Sequence, residues 1–179
     1  EGMMPDLDVL SVEAEEGQGD GDGILNPGEQ AEIVVSIMCL PGDGPAIGVT
    51  GTLFALDNNV TIINGEKSLG GMNPGDVYSN STDPFVIQLS NNCPVGQVTV
   101  GLLIQANEDL DFYYAKQFFL DIDVELYLAG FPYETGTSFK SGPIIVDYNG
   151  DGVKEVFNVN TNGDLYGLNS SGQVLGGFP

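Results

Sequence analysis

The chain contains no histidine, no arginine and no tryptophan, and only four lysines stand against 26 carboxylates, for a formal net charge of -22. Without histidine there is no Ser-His-Asp triad, no Cys-His dyad, no HExxH zinc site and no imidazole proton shuttle. Phosphates are bound by lysine and arginine that displace counterions, so this surface repels nucleic acid and an anionic leaflet, and divalent cations are its natural counterpart. No run approaches the ~20 apolar residues of a membrane span, so no membrane insertion is expected. The start at Glu1 has neither the basic nor the apolar region of a signal peptide, so for a secreted protein the signal has been removed or lies outside this sequence. Long amphipathic helical periods are also missing. Cysteine is limited to Cys39 and Cys93, each beside a strand-like run. An even count in an acidic, histidine-free chain predicts one structural disulfide in an oxidising compartment, worth about 4 kcal/mol on the chain-entropy picture; two buried free thiols are the alternative.

What is present is β-forming. Hydrophobic residues make up 41% of 179 positions, enough for a core, and 26 glycines and 10 prolines punctuate short runs rich in Val, Ile, Phe and Tyr. Strands are expected at Leu7 to Val12, Ala31 to Met38, Ala46 to Leu56, Val60 to Ile63, Phe85 to Leu89, Val98 to Ala106 and Tyr114 to Leu128. Turns fall at Pro41-Gly42, Asn58-Asn59, Asn64-Gly65 and Asn73-Pro74-Gly75, and the spacing fits a sandwich of roughly seven strands. From Leu120 onward Ile122, Val124 and Leu126 alternate with Asp121, Asp123 and Glu125, one face for the core and one for solvent. Tyr113, Tyr114, Phe118 and Phe119 form an aromatic run beside Asp109 and Asp111, half of it core on an alternating strand. Asn59, Asn80 and Asn169 each open a glycosylation acceptor pattern.

After Leu128 the pattern changes. Gly130-Phe131-Pro132 recurs as Gly177-Phe178-Pro179, 47 residues later, close to the period of a propeller blade. Between them Pro143 to Asp147, Val153 to Val159, Asp164 to Leu168 and Gln173 to Leu175 read as four short strands. The expected architecture is therefore all-β: a sandwich over 1–128 and a four-stranded blade-like unit over 129–179.

Two loops carry chemistry. Asp147, Asn149, Asp151 and Glu155 occupy the first, third, fifth and ninth positions of one, with Gly152 turning the chain and Val153 offering its carbonyl. A hard cation collects six or seven oxygens at about 2.3–2.6 Å from such spacing; the alternative is an Asx-rich turn that solvates the loop. The second loop, Gln18 to Glu29, sets Asp20, Asp22, the Ile24 carbonyl, Asn26 and Glu29 in a twelve-position calcium frame, with neutral Gln18 in the first position. That neutral residue lowers the expected affinity toward about 0.1–1 mM or weaker, and a polar glycine-rich turn is the competing reading. A catalytic carboxylate pair is formally available, but no pair is singled out and the tryptophan common in sugar sites is missing, so the expectation is a non-catalytic protein.

Asp20-Gly-Asp-Gly-Ile-Leu-Asn-Pro-Gly-Glu29 followed by Ala31-Glu-Ile-Val-Val-Ser-Ile37, with Thr52-Leu-Phe54, Val60-Thr-Ile-Ile63, Pro84-Phe-Val86 and Cys93-Pro-Val-Gly96, resembles the Ig-like modules of large secreted bacterial proteins, including those flanking gingipain-type cysteine peptidases and surface adhesins. Members commonly carry Asp where this chain has Gln18. Residues 130 to 179 resemble an FG-GAP (VCBS-type, integrin-α-like) propeller repeat, which implies calcium ligation by Asp147, Asn149, Asp151, the Val153 carbonyl and Glu155. A lone blade leaves two apolar faces bare, so its neighbours belong to a longer protein or to other molecules. The resemblance implies a calcium-stabilised extracellular or cell-surface module serving adhesion or scaffolding. Two alternatives accompany it: a subunit that self-assembles with identical subunits into an extracellular filament, burying its C-terminal blade against the next subunit by strand pairing, and an accessory domain of a secreted peptidase. The acidic surface also fits solvation at high salt.

Overall fold

A computed structural model describes residues 3–108, 110, 112–127 and 130–179. The chain divides into two compact units, Glu1–Leu126 and Tyr127–Pro179. All regular structure among the described residues is β, as the composition predicts.

The first unit has nine strands: β1 Leu7–Gln18, β2 Gln30–Cys39, β3 Ala46–Ala55, β4 Val60–Asn64, β5 Glu66–Met72, β6 Val77–Ser79, β7 Phe85–Leu89, β8 Gly96–Ala106 and β9 Tyr114–Val124. One antiparallel sheet runs β1-β2-β7-β4 with β6 also beside β2, and the other runs β5-β3-β8-β9. Ala31, Ile33, Val35 and Ile37 of β2 face Leu53, Leu102, Ile104 and Ile122 of the opposite sheet in one buried cluster. Gly51 permits a close approach of the sheets, since a Cβ there would lie 3.1 Å from the Phe85 ring across the interface. Two strands more than the expected seven are present, and both evade pattern reading. β5 turns a lysine, Lys67, inward beside Leu69 and bulges at Gly70, while β6 has only three residues. Lys67 is tolerated because its ammonium ion-pairs with Asp83 at the solvent boundary. β9 ends at Val124, short of the expected Leu128, which lies outside the described residues with Asp109 and Asp111. Of the aromatic run, Tyr114 is buried and Phe118 packs against the core, whereas Tyr113 and Phe119 are exposed.

One edge of β2 is shared by β7 along 30–33 and β6 along 36–38. In the gap, the Asn80 side chain replaces a strand: its Oδ1 accepts the Val35 N–H at 2.6 Å and its Nδ2 donates to the Ile33 carbonyl at 3.1 Å. With 1% exposure Asn80 serves the sheet, and its acceptor pattern is not open to a glycan in the folded chain.

The expected disulfide is corrected: Cys39 and Cys93 are buried free thiols. Cys39 ends β2 opposite Leu7, whereas Cys93 follows β7, whose Leu89 N–H bonds the Glu29 carbonyl just before β2 begins. They sit at opposite ends of a ten-residue strand, about 30 Å apart at 3.3 Å per residue, where a bridge needs Cα atoms within about 7 Å. Burial pushes both thiols up, reinforced by the charges of Asp43, Asp76 and Asp6 at Cys39 and of Asp57 at Cys93.

In the second unit β10 Ile144–Val146, β11 Glu155–Val159 and β12 Leu165–Leu168 form an antiparallel sheet. The fourth expected strand is reduced to a single bridge, Leu168 to Val174, because Gly176-Gly177 ends the run after three residues. Phe157 stacks with Tyr148 and Phe178 on one face, with ring centroids 5.3 Å from each. Phe131, Tyr133, Phe139 and Tyr166 line a cleft of about 260 Å³ with Val156 and Leu168 of the other face. The two Gly-Phe-Pro copies thus place their phenylalanines on opposite faces of this small sheet.

Tyr114 closes the start of β1, its hydroxyl accepting the Leu7 N–H at 3.0 Å and lying 3.1 Å from the Leu7 carbonyl and 3.3 Å from Asp6. Burial, opposed by the Leu7 hydrogen bond and aided by the Asp6 charge, pushes its pKa up to about 12. The neutral phenol is therefore the form the fold prefers. Its contribution is complete below about pH 10, where the unfolded phenol titrates, and is lost as pH rises toward 12. Urea midpoints measured from pH 8 to 12 are expected to fall more steeply for the native chain than for Tyr114→Phe. Asn80→Ala leaves a buried donor and acceptor unpaired and is expected to cost about 2–4 kcal/mol. Both thiols are expected to react with a thiol reagent in the unreduced, unfolded chain and to resist it when folded; an unreactive unfolded chain contradicts the free-thiol assignment.

Candidate metal centre

The first loop owes its geometry to the register of β1. Leu7 and Val9 face the core at odd positions, yet the next residues packed against it are Val12 and Ala14, at even ones. The change of parity is absorbed at Leu10, an exposed extra residue between the pairs Val9–Ile37 and Ser11–Ser36. A bulge of this kind transfers every later side chain to the opposite face. Glu16, and not Glu15, therefore ends the inward row, opposite the buried Ala31. A second shift at Gly17 releases the chain into the loop.

There Glu16 meets Asp20 and Glu29, one carboxylate oxygen from each lying within 4.8 Å of the others. The four oxygens of Glu16 and Glu29 each take one backbone N–H. Glu16 accepts those of Gly21 (2.7 Å) and Gly23 (2.8 Å), and Glu29 those of Asp20 (3.1 Å) and Asn26 (2.8 Å). Gly21 and Gly23 adopt φ of 82° and 81°, which aims their amides inward at no steric cost. Gly19 forms the floor, where an added Cβ would collide with both Glu16 and Glu29. Glu29 is held from behind by its carbonyl, which accepts the Leu89 N–H at 2.9 Å, and Leu25 is buried in the core while its carbonyl binds the Glu125 N–H at 2.9 Å. The loop is thus a plug in the sandwich end as well as a cluster of acids.

Of the residues expected here, Asp20 and Glu29 join the cluster. Asp22 caps the Ile24 amide at 2.8 Å, and the Ile24 carbonyl accepts the Asn26 side-chain amide at 3.0 Å. Gln18 pairs in the ladder with Gln30. The third carboxylate is Glu16, two positions upstream of the frame, and the parity change from Leu7/Val9 to Val12/Ala14 is the signal that could have found it.

In the second loop the expected ligand residues accept backbone amides of the turn and are less drawn together. Asp147 accepts the Gly150 and Gly152 amides (2.7 and 3.0 Å), Asn149 that of Asp151 (2.8 Å), and Asp151 that of Val153 (2.7 Å). Glu155, at 2% exposure, accepts the Tyr148 amide at 2.7 Å. Among the described residues, the mutual approach of three carboxylates to within 4.8 Å is found at Glu16, Asp20 and Glu29 and not at Asp147, Asp151 and Glu155.

Hard carboxylate oxygens, each with lone pairs left after one amide bond, suit calcium or magnesium, and a loop that offers several carboxylates favours calcium. Unneutralised charges at about 4 Å repel by about 1 kcal/mol per pair in water and about 4 at an effective dielectric of 20. A divalent cation reverses that sign.

No protein-family model and no curated protein matches the chain. Among solved structures, the sporulation control protein Spo0M from Bacillus subtilis aligns over 94% of this chain and 74% of its own, at 16% identity and a TM-score of 0.31. A likeness that low carries no conclusion about fold or function.

Glu16→Gln is expected to abolish any calcium-dependent rise in melting temperature of the first unit, whereas Gln18→Ala leaves it intact. Loss of the rise in Gln18→Ala alone would restore the twelve-position frame.

Proposed function

We propose that the chain is a non-catalytic structural module whose sandwich is braced at one end by calcium, serving adhesion or the presentation of a neighbouring domain outside the cell. The observation that carries this reading is the convergence of Glu16, Asp20 and Glu29 at the junction of β1 and β2, above the buried Leu25. Calcium there ties the end of one strand to the start of the next and holds the plug in place. The Asp147–Glu155 loop is a second place for calcium, with Asp147, Asn149, Asp151, the Val153 carbonyl and Glu155 as its oxygens.

The strand order supports the Ig-like resemblance. β1-β2-β7-β4 and β3-β8-β9 occupy the positions of the ABED and CFG sheets of a constant-type Ig domain, with β5 added beside β3. The extracellular assignment rests on that resemblance and on the millimolar calcium such weak loops require. The free thiols remove the disulfide as an argument for an oxidising compartment. Histidine-free chemistry and two cysteines raised by burial favour a binding or structural role over nucleophilic catalysis. An accessory role beside a secreted peptidase is the same module in another setting.

Thermal unfolding in chelator and in about 10 mM calcium tests the reading. For dissociation constants of about 0.1–1 mM, linkage stabilises by about 1.4–2.7 kcal/mol, or about 5–10 °C for a unit of this size. Asp151→Ala is expected to remove the calcium response of the second unit alone. Identical melting in chelator and calcium would end the calcium account.

A further inference from the structure

The outward face of the β5-β3-β8-β9 sheet carries aromatic rings set among neutral polar side chains. Leu53, Leu102 and Leu120 point into the core, so their neighbours along each strand point out. Ladder partners set Thr52, Leu103 and Gln117 in one outward row and Phe54, Gly101 and Phe119 in the next. Gly101 is buried although it faces outward, because the Phe54 ring covers it. A Cβ added to Gly101 would meet Cζ, Cε1 and Cε2 of Phe54 together. Three neighbouring ring atoms lie that close only over the face of a ring, so Phe54 lies flat on β8 with its other face turned outward. Phe119, across Gly101 on β9, is 66% exposed.

Beside the rings, a cleft of about 530 Å³ over β3 and β5 is lined by Thr50, Thr52, Glu66, Ser68 and Glu108. Gly51 and Lys67 complete its wall but are buried, and the Lys67 ammonium is taken by Asp83. Glu108 is placed by its buried neighbour Asn107, whose Oδ1 accepts the Ile47 N–H at 2.8 Å and whose Nδ2 donates to the Phe112 carbonyl at 3.2 Å. Among the described residues, the side chains of Thr50, Thr52, Ser68 and Gln117 make no hydrogen bond within the chain. Residues 1–126 hold 21 carboxylates and two lysines, net -19, and both lysines, Lys67 and Lys116, occupy inward positions of β5 and β9. A sulfated, phosphorylated or uronate-bearing ligand is repelled by such a face, and so is a second copy of it.

We propose that this face binds a neutral polysaccharide with flat, equatorially substituted rings, of the β-linked glucan or xylan class. A sugar ring of that kind carries C–H bonds on its faces, which stack on aromatic rings, and hydroxyls around its rim, which both donate and accept. Phe54 and Phe119 supply stacking planes associated with neighbouring strands. Thr52 and Gln117 meet the rim hydroxyls, and Glu66 and Glu108 accept from those of a ring seated in the cleft. A mostly apolar platform with a few placed polar groups is the usual make-up of a small-ligand site. The face lies apart from both acidic loops, so the proposal goes beyond the calcium reading, and its failure leaves that reading standing.

Titration of the isotopically labelled chain with cellohexaose and with xylohexaose, in chelator, tests it. The amides of Thr52, Gly101, Leu103 and Phe119 are expected to shift with at least one of the two, while residues 16–29 and 147–155 stay still. Phe119→Ala should keep the fold, since the ring is exposed, and should weaken binding about tenfold. Ile63→Ala, exposed on the other sheet, should bind as the native chain does. Cellulose sulfate should bind more weakly than the neutral oligomer at low salt. No shift with either oligosaccharide, shifts confined to other surfaces, undiminished binding by Phe119→Ala, or tighter binding of the sulfated chain would overturn the proposal.

Discussion

The register of β1 against β2 governs what the end of the sandwich can do. A strand that faced the core at every odd position would bury Glu13 and Glu15 and expose Val12 and Ala14, and the apolar side chains forbid this. One extra residue at Leu10 resolves the conflict between the two halves of the strand. It also carries Glu16 to the inward face at the end of the ladder, within reach of Asp20 and Glu29. A packing requirement and a candidate ligand set therefore have one cause. Moving or removing the bulge would misplace both.

The loop that follows joins stability to function through Leu25 and the glycines. Leu25 belongs to the core, so the eleven residues between β1 and β2 are anchored at their middle as well as at their ends. Gly19 leaves room for the acids, since a Cβ there would collide with Glu16 and Glu29, and the Gly21 and Gly23 amides hold the Glu16 carboxylate in place. Amide bonds offset part of the repulsion among three acids, and a cation offsets more. Such a loop is ordered before it binds, which limits the entropy lost on binding.

Much of this architecture is legible in the residues themselves. The alternation of Ala31, Ile33, Val35 and Ile37, the turn at Asn73-Pro74-Gly75 and the glycine-rich acidic loop all report local physics, and the structure follows them. Where reading fell short, tertiary context had overridden a local rule. β5 hides a lysine in an inward position because Asp83 lies near in space and 16 residues away in sequence. Cysteine parity carries no information about distance: Cys39 ends β2, whereas Cys93 follows β7 beyond the other end of β2. The twelve-position frame pointed to Gln18 because it assumes one continuous loop, whereas the first carboxylate comes from the preceding strand. In the second unit the residues from Asp147 to Glu155 form a turn whose side-chain oxygens accept backbone amides, and spacing alone does not bring carboxylates together.

Calcium titration followed by amide resonances of the isotopically labelled chain tests the central claim most directly, because it reports each loop separately. The account predicts that the amides of Asp20, Gly21, Gly23 and Asn26, which bind the Glu16 and Glu29 carboxylates, shift together at millimolar calcium and stay still in Glu16→Gln. Shifts confined to residues 147–155, or no shift in either loop, would contradict it.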